Sequence, residues 1–173
     1  MQMKQVNISY APIEDRLLLR ISTTDEAELR LWITRAVAIK MMPDLLNAEK
    51  QLLVLAVQHI ANPAVRGTVE QFYAEEARNQ NDFSSQFTAK ASSFPLGEQP
   101  VLVSRLDITV HTEDASLAFT LVNNRLMTFS FNIQILTGVN KLIRNVVDGA
   151  NWHVGIETIK HPLIQMPESE TWH

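Results

Sequence analysis

The sequence predicts an α+β domain, with a mostly antiparallel sheet of about six to seven strands and two apolar helices, 44–61 and 137–148, packed on one face. Three observations predict it. Apolar residues alternate with polar ones before residue 35 and again after residue 101, which is the period of a half-buried strand. Two stretches between and behind those runs carry apolar residues at helical spacing. The chain has 173 residues, 46% hydrophobic and 20% charged, enough to bury one core without a disulfide or metal staple. Residues 1–173 therefore read as one domain, with 64–100 as a polar helix and loop inserted between two strand-rich halves.

Val6, Ile8 and Tyr10 alternate with polar neighbours and make the first strand. Pro12 centres a turn. Over 16–22, Leu17, Leu19 and Ile21 face one way and Arg16, Leu18 and Arg20 the other. After an acidic turn at 23–27, residues 28–34 repeat the pattern, with Leu29, Leu31 and Ile33 inside and Arg30, Trp32 and Thr34 outside. A helical stretch follows over roughly 36–61, in which Pro43 either starts the main helix or kinks a longer one. Its apolar arc is wide: Leu45, Leu52 and Ala56 form one stripe, and Leu46, Leu53 and Val57 the next. Such a helix is packed on more than one side.

Residues 64–80 make a more polar helix with a narrow face. Residues 79–100 read as a long loop, punctuated by Phe83, Phe87 and Phe94, which gives those three a place in a recognition loop or docks them on their own domain. Leu106, Ile108 and Val110 then alternate, followed by Leu117, Phe119 and Leu121. Met127, Phe129, Phe131, Ile133 and Ile135 extend the last long strand. Parity favours a three-residue loop with an asparagine in the left-handed region, because a two-residue Asn-Asn turn would put Phe119 and Phe129 on opposite faces. Gly149 caps the 137–148 helix, and Trp152, Val154 and Ile156 suggest a final strand.

A weak internal repeat is present. Residues 19–33 and 108–121 both read strand, acidic turn, strand, and an apolar helix follows each, directly or after one more strand. Two hairpin-plus-helix halves fit this, although any antiparallel hairpin with an acidic turn produces a similar match.

Composition removes several functions. There is no cysteine, so thiolate zinc sites, iron–sulfur clusters and cysteine nucleophiles are out. The net charge is −4, which argues against a globally basic nucleic-acid binder. The five histidines lack metal-ligand spacing, with no His-x-x-x-His and no His-Glu-x-x-His. No Gly-x-Ser-x-Gly elbow or glycine-rich phosphate loop occurs. The acid pairs Asp25-Glu26, Glu75-Glu76 and Glu113-Asp114 show no convergence, so no catalytic residue, cofactor or metal is assigned. The longest apolar run, 52–57, is far short of the ~20 residues of a membrane span. A cytoplasmic protein with no membrane partner is the expectation.

The most specific feature is the outer face of the first hairpin, with Arg16, Arg20, Arg30 and Trp32 on it and Arg35 just beyond. Register decides its meaning. If Leu19 stacks on Leu31, Arg20 lies opposite Arg30, and the two cations need an acidic neighbour or an anionic ligand. A slip of two residues sets Arg20 against Trp32 in a self-satisfied cation–π contact. Trp and Arg are also what protein interfaces enrich.

The run from Tyr10-Ala-Pro-Ile-Glu-Asp-Arg-Leu-Leu-Leu-Arg-Ile through Glu28-Leu-Arg-Leu-Trp-Ile-Thr-Arg35 resembles the opening of a family of short uncharacterised bacterial proteins. The resemblance covers the first 35–45 residues. It implies a bacterial cytoplasmic setting and carries no site residue.

The leading expectation is a non-enzymatic protein-interaction or assembly module acting as a homodimer. A second is a small-ligand protein or enzyme with a pocket between sheet and helices, using His111, His153 or the arginines. A third is a single-stranded nucleic-acid-associated protein using the Arg/Trp face.

Overall fold

The computed structural model describes residues 3–80 and 91–152. It is α+β, with a six-stranded mixed sheet and three helices. The strands are β1 (Met3–Ala11), β2 (Arg16–Thr23), β3 (Glu28–Thr34), β4 (Val101–Val110), β5 (Asp114–Leu121) and β6 (Leu126–Asn132). The helices are α1 (Arg35–Val57), α2 (Pro63–Gln80) and α3 (Ile133–Gly149). Strand order in the sheet follows chain order. Every joint is antiparallel except β3–β4, which is parallel and places Leu31 beside Val101 and Trp32 beside Leu102. The sheet is mostly antiparallel, as expected; the one parallel joint was not readable, because alternation fixes which face a side chain takes and not which way the neighbouring strand runs. A parallel joint needs a long crossover, which the 35–100 segment supplies.

Two boundaries move for the same physical reason. The Thr34 hydroxyl accepts the Val37 N–H at 3.3 Å, so α1 starts at Arg35 and carries Pro43 inside it. The Asn132 side chain accepts the Ile135 N–H at 2.9 Å, so α3 starts at Ile133. Ile133 and Ile135, expected to prolong the strand, are helical: a side-chain cap ends a strand even where the apolar alternation runs on. Gly149 is the last residue of α3, and Asn151, with φ 54, takes the left-handed conformation instead. Trp152 lies outside any strand; Val154 and Ile156 lie outside the described residues. At the β5–β6 turn Asn124 has φ 60, and Phe119 and Phe129 meet edge to face at 6.2 Å.

One face of the sheet is dry. Leu17, Leu19, Ile21, Leu29, Leu31, Ile33, Leu117, Phe119, Leu121, Phe129 and Phe131 are buried there with Leu45 and Leu52 of α1 and Leu136, Val139 and Ile143 of α3. Helix α2 packs against both α1 and α3. The wide apolar arc of α1 is thus covered by the sheet and by two helices of its own chain.

The element order β1-β2-β3-α1 recurs as β4-β5-β6-α3, with α2 between the two. Buried Leu17, Leu19 and Ile21 of β2 match Ala115, Leu117 and Phe119 of β5, position for position. The pairs Leu19 with Leu31 and Leu17 with Ile33 match Leu117 with Phe129 and Ala115 with Phe131. The capping residues Thr34 and Asn132 are equivalent, as are buried Ala38, Met41 and Leu45 to Leu136, Val139 and Ile143. A register shift interrupts β1 at Met3/Gln5 opposite Thr23 and Ser22, and β4 at Val103/Arg105 opposite Leu121 and Thr120. The repeat seen in the sequence aligned β2–β3 with β4–β5. The true equivalence is one strand later, because turn composition is common to many hairpins and the strand-to-helix junction is not.

The halves exchange helices. α1 lies along β4, the first strand of the second half, and α3 packs against β1, the first strand of the first half. Val37, Lys40 and Asp44 flank Ser104–Asp107, and Asp44, Asn47 and Gln51 flank Leu106–Val110. From Val37 to Gln51 a helix rises about 21 Å, and from Ser104 to Val110 a strand rises about 20 Å, so the two run side by side.

Candidate interaction surface

The hairpin register stacks Leu19 on Leu31 and sets Arg20 directly opposite Arg30. The acid that this arrangement requires is Glu28. Its Oε1 accepts Arg20 Nε at 2.8 Å and Arg30 Nε at 2.7 Å, and its Oε2 accepts Arg20 Nη2 at 3.2 Å. Glu28 is 1% exposed although it sits on the outer face. The covering is the 91–98 segment: Glu28 N–H donates to Ser93 O at 3.0 Å and Ser92 N–H to Glu26 O at 2.8 Å. Burial pushes the Glu28 carboxyl up, but the hydrogen bonds and charges of the two arginines outweigh it and hold it below the usual range.

Arg30 also donates to Glu98 O at 2.9 Å, and its guanidinium lies 4.6 Å from the centre of the Phe94 ring. Phe94 therefore docks on its own domain. Phe83 and Phe87 lie outside the described residues. Arg35 donates to Trp152 O at 2.6 Å. The Trp152 indole in turn donates to Asp15 at 2.7 Å, Tyr10 donates to the same oxygen at 2.8 Å, and the two rings meet edge to face at 5.8 Å. These bonds lower the Asp15 carboxyl, that from Trp152 most, and the bond to Asp15 raises the Tyr10 hydroxyl. The cluster ties the end of α3 to the β1–β2 turn. Arg20, Arg30 and Arg35 are thus occupied within the chain, and among the described residues the Arg16 side chain has no hydrogen bond or ion pair.

Trp32 stays half-buried on the outer face between Leu18 and Leu102, its neighbours across β2 and β4. The apolar residues continue. Val122 donates its N–H to Leu102 O at 3.0 Å and is 56% exposed, and Leu126, which opens β6, is 61% exposed. Leu18, Trp32, Leu102, Val122 and Leu126 form an apolar band, one residue from each of five neighbouring strands or strand ends. No helix among the described residues covers it. Leu102, Val122 and Leu126 were missed in the sequence because each sits next to another apolar residue at a strand end, where alternation is broken and gives no signal.

Two concavities lie beside α1. A groove of about 410 Å³ between α1 and β4 is lined by Lys40, Asp44, Arg105 and Asp107, the last two paired with one another. A cleft of about 240 Å³ between α1 and α3 holds Glu49, which accepts from Thr137 at 3.0 Å and from Asn140. His111 is exposed and bonds Ser116 at 3.0 Å; His153 lies outside the described residues. Among the described residues no three His, Asp or Glu side chains gather as a metal site, and no helix is long and apolar enough to cross a membrane. Comparison with family models, curated proteins and solved structures finds no match to this chain.

Proposed function

We propose that the chain is a non-enzymatic protein-interaction module that assembles as a homodimer. The observation that carries this reading is the apolar band of Leu18, Trp32, Leu102, Val122 and Leu126 on the wet side of the sheet. Single exposed apolar residues are ordinary, but five on the same face of five adjoining strands or strand ends, a tryptophan among them, are the composition of an interface core. The polar surroundings of Ser116, Thr120, Thr128 and Ser130 make the matching rim. The arginines support the same reading, since three of the five sequence-assigned binding residues are held by acceptors of their own chain. Light scattering of the purified chain is expected to give about twice 19.6 kDa. A chain that stays monomeric at every concentration ends this reading.

A further inference from the structure

We infer that the second copy attaches at the open edge of β6, by antiparallel pairing of β6 with β6 about a two-fold axis at Phe129; this rests on the reading above for the existence of a dimer and places its joint at the sheet edge instead of on the apolar band. The recurrence makes the edge conspicuous. In the first half, the corresponding edge of β3 is covered at two places. Ser93 bridges it at Ala27 and Glu28, and Val101 and Leu102 pair with Leu31 and Trp32. In the second half, β6 pairs with β5 on one side, and its other edge has no backbone partner among the described residues.

The two outer edges of the sheet differ in protection. β1 carries the exposed Lys4, has a register shift at Met3/Gln5 and is flanked by α3. A charge, a bulge and a covering helix are the devices by which proteins blunt an edge. β6 has neither the charge nor the bulge. Its seven residues, Leu-Met-Thr-Phe-Ser-Phe-Asn, hold no charge and no proline, and its pairing with β5 is regular. An edge left so regular is a template for another strand.

The sequence of β6 is self-complementary in the two-fold register. Phe129 meets Phe129 of the second copy, and Met127 meets Phe131, so the dry faces join. Thr128 meets Ser130 on the wet face, where hydroxyl pairs stabilise neighbouring strands. Every pair keeps both residues on one face, as the pleat demands. A head-to-tail joint of β6 to β1 would leave an open filament and meets the protected edge; the two-fold joint uses up both β6 edges and closes at two copies.

The test is a charge swap on the wet positions. Thr128→Lys with Ser130→Lys sets lysine against lysine twice across the axis and is expected to weaken dimerisation roughly tenfold or more. Thr128→Lys with Ser130→Glu sets lysine against glutamate twice and is expected to remain dimeric. Circular dichroism and thermal unfolding of both variants separate dissociation from misfolding, and the second variant carries the same lysine through the same fold. If the wild type is dimeric and both variants stay equally dimeric, the β6 joint is wrong while the dimeric reading stands. The joint is equally wrong if Trp32→Ala dissociates the dimer and the double lysine does not, since the second copy then sits on the band. If both charge variants are folded and both dissociate, the two-fold register is overturned. A monomeric wild type removes the reading on which the inference rests.

Discussion

The two halves of this chain share a frame and differ in skin. Inside, Leu17, Leu19, Ile21, Leu31 and Ile33 of the first half have apolar counterparts in Ala115, Leu117, Phe119, Phe129 and Phe131 of the second, and all are buried. Outside, Arg16, Leu18, Arg20, Glu28, Arg30 and Trp32 correspond to Asp114, Ser116, Ala118, Leu126, Thr128 and Ser130. The difference teaches where constraint lies. A core position must fill space in a dense interior, so its chemistry repeats. A wet position needs only to be compatible with water and with its cross-strand neighbour, so the halves diverge there. The first half uses that freedom for a buried ion cluster, the second for an uncharged edge.

The comparison is broken first at the core. Ile33→Ala and its counterpart Phe131→Ala are each expected to cost about 3–4 kcal/mol, because both side chains are buried and leave cavities. Calorimetry should show one transition moving in each case. Two separate transitions would mean that the halves fold independently and that the exchanged helices do not join them.

A smaller effect is expected where only one half has a charge. Glu28→Gln removes the countercharge that Arg20 and Arg30 share and should cost roughly 2 kcal/mol in denaturant unfolding. The same cluster sets a pH dependence. The folded-state carboxyls of Glu28 and Asp15 lie below their ordinary values of 4.5 and 3.8. Their contribution is therefore present above those values and is lost as pH falls through the lowered folded ones. Glu28→Gln should flatten part of the acid limb of stability against pH, and an unchanged limb would assign it to other carboxylates.

The caps sharpen the equivalence. Thr34→Ala and Asn132→Ala should each cost about 1 kcal/mol, since each removes the acceptor for an N–H in the first turn of its helix. A large loss at one and none at the other would mean that the two junctions are not equivalent. Smallest of all, Arg16→Ala and Asp114→Ala should change stability by less than about 0.5 kcal/mol in thermal unfolding, as befits wet positions outside the core.

The strands, the faces of their side chains and the existence of helices were legible in the residues, because period and parity are local. Leu17, Leu19, Leu29 and Leu31 are where alternation puts them. The hairpin register was narrowed to two options and no further, since the choice depended on Glu28 finding cover under Ser92 and Ser93, residues more than sixty positions away. The candidate surface was half legible. Trp32 and Leu18 stood out within a strand, whereas Leu102, Val122 and Leu126 gain meaning only as neighbours.

Amino-acid order alone settled which side chains are greasy, how often they recur and where proline, glycine and asparagine interrupt them. Those properties act over a few residues, so the chain carries them into any fold. Strand direction at the β3–β4 joint, the crossing of each helix to the other half, and the covering of one edge but not its counterpart were decided in three dimensions. Each depends on which distant segments come to share a surface, and burial is a property of that surface, not of any residue by itself.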